Sequence, residues 1–91
     1  MRSRRLKFTT EATPPNPEDP EGYRAAWWRE RVLGYSRPQL AQALGLHQGT
    51  ILAYEKAETV PLAYSLACAA LQVERLNRRP FFNDGRFIWP T

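Results

Sequence analysis

The sequence predicts an all-α domain: a compact bundle of four to five short helices, preceded by an extended arm and followed by a short aromatic tail. Three observations lead there. Ser36 and Gln39 form a capping box that opens an apolar stripe of Leu40, Ala41 and Leu44, and Gly45 follows as a helix stop. Within three residues of that glycine a second helix begins, with Ile51 and Tyr54 as its inward face. From Leu62 to Val73 the chain then carries no charged residue and is rich in Leu and Ala, the pattern of a helix apolar on all sides.

The elements follow in order. Residues 1–20 make an arm: Arg2, Arg4, Arg5 and Lys7 give a basic tip, and Pro14, Pro15, Pro17 and Pro20 prevent a helix behind it. That tip reads either as a DNA-reaching arm or as a solvated tail. Helix 1 is predicted over 21–33, with Tyr23, Ala26, Trp27 and Trp28 as apolar mass. Adjacent tryptophans diverge on a helix, so one should enter the core and the other sit at an edge or against a partner. Helix 2 is predicted over 37–44, helix 3 over 48–56, and helix 4 from Pro61 to about residue 77, ending before Pro80. The domain thus spans 21–78 and the aromatic tail 79–91. In the tail, Asn83-Asp84-Gly85 between Phe81-Phe82 and Phe87-Ile88-Trp89 is a hairpin signal. A lone hairpin is marginal in water, so its aromatics must dock on the helical core or on another subunit.

Composition limits the rest. The chain of 91 residues has room for one domain with a modest core, and its net charge of +4 suits an anionic partner. A single cysteine, Cys68, excludes an internal disulfide and a multi-cysteine metal site. No apolar run reaches the ~18 residues of a membrane span and no secretory signal is recognisable, so a cytoplasmic, nucleoid-associated location is expected, with no membrane partner. His47, the only histidine, has no metal-ligand company, and capping or surface exposure is the expected role. No phosphate loop, nucleophile set or paired carboxylates appear, so neither an enzyme nor a cofactor nor a small-molecule ligand is expected.

Two short helices joined by a tight glycine turn are the signature of a helix-turn-helix, whose second helix is shaped for the DNA major groove. The chain resembles the repressor/Cro-type (XRE-like) family of phage and bacterial regulators over about residues 21–76. The matching positions are Leu33-Gly34, Ser36, Leu40-Ala41, Leu44-Gly45, Thr50-Ile51, Glu55 and Pro61. The resemblance implies a sequence-specific DNA-binding domain that works as a dimer. It also implies that Glu55 pairs with an arginine of helix 1. The family spacing places that arginine where this chain has Glu30, as though one residue were inserted before Gly34. Arg29 is then the favoured partner, with Arg31 as the alternative.

With Ile51 and Tyr54 inward, helix 3 presents Gln48, Gly49, Leu52, Ala53 and Lys56 outward, with His47 and Thr50 at the edge. The resemblance makes Gln48 the first base-reading residue, suited to adenine, with Gly49, Leu52 and Ala53 beside it; Leu52 and Ala53 suit thymine methyls. Leu52 could instead pack against helix 4 or a partner. Arg37, His47, Thr50 and Lys56 are the candidate phosphate contacts. Helix 4 and the tail suggest a homodimer interface of Leu66, Ala69, Ala70, Val73, Phe81 and Phe82, the alternative being that the tail itself covers helix 4. The expected function is a transcriptional regulator, in the first place a repressor, binding a palindromic operator in double-stranded DNA. The rival is an interaction or adaptor module on the same scaffold that has lost base reading.

Overall fold

A computed structural model describes residues 13–90; the basic tip, which lies within residues 1–12, and Thr91 are outside the described residues. The fold is mostly helical, with a short antiparallel hairpin at its C-terminal end. Helix α1 (Glu21–Trp27) runs directly into a π-helical turn (Trp28–Leu33). Helices α2 (Arg37–Leu44) and α3 (Gln48–Glu55) follow, joined by residues 45–47, and α4 (Leu62–Leu76) is the longest. Strands β1 (Phe82–Asn83) and β2 (Arg86–Phe87) form the hairpin, which packs on α4.

The local signals act as the sequence predicts. The capping box is complete: Gln39 N donates to Ser36 Oγ at 3.2 Å, and Ser36 N donates to Gln39 Oε1 at 2.7 Å. Gly45 adopts φ +72°, and Leu46 N reaches back to Ala41 O at 2.9 Å, closing α2 in a Schellman turn. Asp84 and Gly85 both have positive φ, +53° and +79°, as a type I′ hairpin turn requires. Pro61 sits one residue earlier than predicted, as the N-cap of α4, where its carbonyl accepts from Tyr64 N and Ser65 N.

Helix 1, expected as one run over 21–33, changes to π geometry at Trp28. An extra residue inside an α-helix is accommodated by widening one turn to i→i+5 bonding. Here Gly34 N donates to Arg29 O across five residues and Tyr35 N donates to the same oxygen at 2.9 Å, while Gly34 takes φ +77°. Arg29, in the first turn of this bulge, is buried.

The core gathers Ala25, Trp28, Leu40, Ile51, Val60, Tyr64, Cys68 and Leu71 from every helix, the π-turn and the α3–α4 loop, closed by Phe87 and Trp89 from the tail. Trp28 meets Phe87 and Trp89 edge-on, with ring centroids 6.0 and 5.5 Å apart. Its indole donates to Gln72 Oε1 at 2.9 Å, which satisfies both buried polar groups. Burial pushes the Cys68 thiol up to about 12, so it stays protonated and inert as a nucleophile.

Several expectations are corrected. Both tryptophans are buried, Trp28 in the main core and Trp27 outside that cluster. Residues 16–19 form a turn in place of a fully extended linker: Asn16 N donates to Asp19 Oδ2, and Arg24 Nε donates to Asp19 O. The tail answers the docking question in part: Phe87 and Trp89 enter this chain's own core, whereas Phe81 and Phe82 stay exposed. Ala69, read as an interface residue, is buried in the core cluster that includes Phe87 and Trp89. Ala70, Leu66 and Val73 are exposed.

Two contacts invisible to periodicity hold the start of α1. Glu21 N and Gly22 N donate to Glu58 O and Ala57 O at 2.8 and 3.1 Å, so the free amides of α1 satisfy carbonyls beyond α3. A Cβ on Gly22 would lie 2.4 Å from Tyr54 O and 2.5 Å from Ala57 O, so only glycine fits. Beside it the Glu21 carboxylate accepts from Val60 N at 3.0 Å, Arg86 Nη2 at 2.9 Å and Trp89 Nε1 at 3.0 Å. Burial works to raise this carboxyl, but the bonds from Trp89, Val60 and Arg86 outweigh it and hold it below the usual range.

Gly22→Ala should therefore destabilise the fold by at least ~2 kcal/mol, the scale of a backbone overlap that side chains cannot relieve, as read by urea denaturation. Because the Glu21 carboxyl is lowered on folding, its stabilisation is present when it is ionised and is lost as pH falls through the folded value. Melting temperatures followed downward from neutral pH should fall in the acid range, and Glu21→Gln should be less stable at neutral pH and show a shallower acid decline.

Candidate nucleic-acid interface

The site is built around a buried acid on α3. Glu55 Oε2 accepts from Arg29 Nε at 2.6 Å and Oε1 from Arg29 Nη2 at 3.1 Å, a two-pronged pairing across 26 residues. Arg37 Nε, from the first turn of α2, donates to Oε1 at 2.8 Å. One carboxylate thus ties the π-turn, α2 and α3 together. Arg29 also donates to Tyr35 O at 2.9 Å, which fixes the loop leading into α2. Burial disfavours the Arg29 charge, yet the bonds and field of Glu55 prevail and raise its affinity for the proton. Of the two arginines considered for Glu55, the structure selects Arg29; Arg31 is exposed.

This brace orients α3. Ile51 is fully buried, and Tyr54 lies half-buried against Tyr64 with ring centroids 4.8 Å apart. The outward side carries Gln48, Gly49, Ala53 and Lys56, all exposed, with Leu52 and Thr50 half-buried at its edges. A groove of about 730 Å³ opens where the first turns of α2 and α3 converge. It is lined by Tyr35, Ser36, Arg37, Gln39, Gln48, Gly49 and Leu52. Of the sequence-predicted residues, Arg37, Gln48, Gly49 and Leu52 are therefore brought together, while His47, Thr50, Ala53 and Lys56 lie outside this groove.

Arg37 and Gly49 change meaning, and His47 takes its expected capping role. Arg37, read as a phosphate contact, spends its Nε on Glu55 and has a side chain 25 % exposed, so it is first a strut of the fold. His47 is the N-cap of α3: its Nδ1 accepts from Gly49 N at 2.9 Å. Gly49 is explained by that cap, since a Cβ there would stand 3.1 Å from His47 Nδ1 and crowd the ring. Sequence reasoning missed Tyr35, which lines this groove and also accepts Arg75 against its ring and hydroxyl. The signal was available in its position between Gly34 and the Ser36 cap.

Among the described residues no group of three His, Cys, Asp or Glu side chains gathers, and no helix is long and apolar enough to cross a membrane. Comparison with protein-family models, curated proteins and solved structures finds no match.

The two arginines should differ in weight. Arg29→Ala leaves Glu55 buried and half-paired and should cost ~3–5 kcal/mol, whereas Arg37→Ala, from a more exposed position, should cost ~1 kcal/mol. Equal losses in chemical denaturation would contradict a bridge centred on Arg29.

Proposed function

We propose that this protein is a sequence-specific DNA-binding regulator that works as a homodimer, with α3 as the helix that enters the major groove. The observation that carries this reading is the outward face of α3. A helix of eight residues is held by a buried two-arginine brace, yet turns Gln48, Gly49, Ala53 and Lys56 to solvent beside the groove at the start of α2. Building a charge-paired brace under a short helix serves recognition better than it serves stability, since buried ion pairs contribute little net stability.

In this reading Gln48 bonds an adenine edge, and Ala53 and Leu52 meet thymine methyls. Lys56 and Thr50 contact phosphates, and the amides at the start of α2 add donors for the backbone. The absence of a side chain at Gly49 lets the start of α3 come close to the bases. The net charge of +4 favours the encounter. A two-fold pair would set its two α3 helices ~34 Å apart, one duplex turn, and so read an inverted repeat. Occupying such a site in a promoter blocks polymerase, which makes repression the simplest outcome.

Selection from a random duplex pool tests the proposal: an enriched inverted repeat is expected, and no enrichment at low salt would move the protein to the adaptor class. On the enriched site, Gln48→Ala should cost ~1–3 kcal/mol and relax preference at one base per half-site. Lys56→Ala should weaken binding to all sequences alike and reduce the salt slope by ~1. Both effects are read by fluorescence anisotropy over a salt series.

A further inference from the structure

The last turn of α4 meets the loop that enters α2 through one side-chain pair. Arg75 lays its guanidinium over the ring of Tyr35, 5.7 Å from the centroid, and its Nη1 donates to the Tyr35 hydroxyl. A guanidinium on an aromatic face is attracted by the ring and held there. Beside the pair opens a polar cleft of about 480 Å³, lined by Tyr35, Gln39, Gln42, Ala43 and Arg75. Gln39 and Gln42 are three residues apart on α2 and so share one face.

The cleft collects donors that the fold does not use. Arg75 spends Nη1 on Tyr35 and places Nε 3.6 Å from Glu74 Oε1, while Gln39 spends its Oε1 on the cap of α2. Among the described residues, Arg75 Nη2, Gln39 Nε2 and the side-chain amide of Gln42 have no partner. No carboxylate is among the lining residues, and Glu74, which faces Arg75 Nε, has a side chain 70 % exposed. A fixed guanidinium flanked by neutral amides is the chemistry that receives a phosphate. The cleft also adjoins the face already described, because Tyr35 and Gln39 line both it and the groove at the first turns of α2 and α3.

We infer that Tyr35, Gln39, Gln42 and Arg75 form a site for one backbone phosphate of double-stranded DNA, filled while α3 lies in the major groove. The inference rests on the DNA-binding reading and adds a contact from α4, on residues outside both the repressor-like positions and the α3 face. Gln42 follows Arg37 by five residues, ~7.5 Å along α2. A duplex offers one phosphate per ~3.4 Å of axis on each strand, so a single strand can pass from the first groove to the cleft. Because Tyr35 already fixes Arg75, little side-chain freedom is lost when the phosphate arrives.

The probe is a random-sequence duplex followed by fluorescence anisotropy over a salt series, so no operator need be known. Arg75→Ala should weaken binding ~5- to 10-fold at ~0.1 M salt and reduce the salt slope by ~1 per bound chain, alike on every sequence. Gln42→Lys should tighten binding and steepen the slope by a similar amount, a gain that misfolding cannot produce. Arg79→Ala removes the same charge from an exposed position outside the cleft and should change the slope far less. If Arg75→Ala fails to fold by circular dichroism, Gln42→Lys decides. A folded variant of Arg75 or Gln42 that binds as wild type overturns the inference, as does an equal loss from Arg79→Ala. Saturation of the Arg75 side-chain NMR signals by millimolar inorganic phosphate also overturns it, since the cleft would then be a site for the free anion. Equal binding to every duplex, with the Arg75 and Gln42 effects intact, leaves it standing and removes the sequence-specific reading. An enriched operator that both variants bind as wild type does the reverse, and a wild type that binds no duplex at low salt removes both.

Discussion

The structure depends on one buried carboxylate. Glu55 sits at the end of α3 with its side chain 3 % exposed, and an unpaired charge there would be intolerable. Arg29 and Arg37 resolve this from two different elements, so the requirement to satisfy one acid dictates how the π-turn, α2 and α3 meet. An apolar contact at the same place would tolerate sliding. The paired guanidinium and carboxylate do not, because their hydrogen bonds are directional. The brace therefore fixes how α2 and α3 meet.

A second acid does the same for α1, the α3–α4 loop and the hairpin segment. The Glu21 carboxylate holds an amide of the α3–α4 loop, a guanidinium of β2 and the indole of Trp89 at once. The amide of Glu21 and that of Gly22 hold the carbonyls after α3. Beside Glu21, at Gly22, the backbone of α1 approaches the carbonyls of Tyr54, Glu55 and Ala57 too closely for any side chain but hydrogen. Hydrophobic burial supplies the drive for this small domain; these polar fixings decide which compact arrangement it takes.

Helix positions were legible in the sequence because their causes are local. Ser36 with Gln39, Gly45, and Asp84-Gly85 act through neighbours a few residues away, and the structure places helix and turn within a residue or two of where those signals put them. The pairing of Glu55 with Arg29 was legible only through resemblance, and there with a misfit of one residue. What could not be read was anything requiring two distant segments at once. Gly22 looks like an indifferent helix residue until Tyr54 O and Ala57 O are placed against it. Glu21 looks like a favourable first-turn acid until Trp89 arrives. Ala69 and Ala70 are equivalent in composition, and only the docking of the hairpin separates the buried one from the exposed one. On α3 the outward set followed from period alone, and the cap formed by His47 is local, whereas the commitment of Arg37 to Glu55 depended on a neighbour 18 residues away.

The reach from Trp89 back to Glu21 spans 68 residues and bears on how the protein is made. Contacts this distant in sequence close late, because the intervening chain must already be ordered. During synthesis the helices can form as they emerge, but Trp28 and Tyr64 lack their contacts with Phe87 and Trp89 until the hairpin segment has left the ribosome. Completion of the core is therefore tied to arrival of the hairpin. A chain cut short before the hairpin would keep most of its helical signals and yet present its aromatic interior to the proteases and chaperones that remove unfinished proteins.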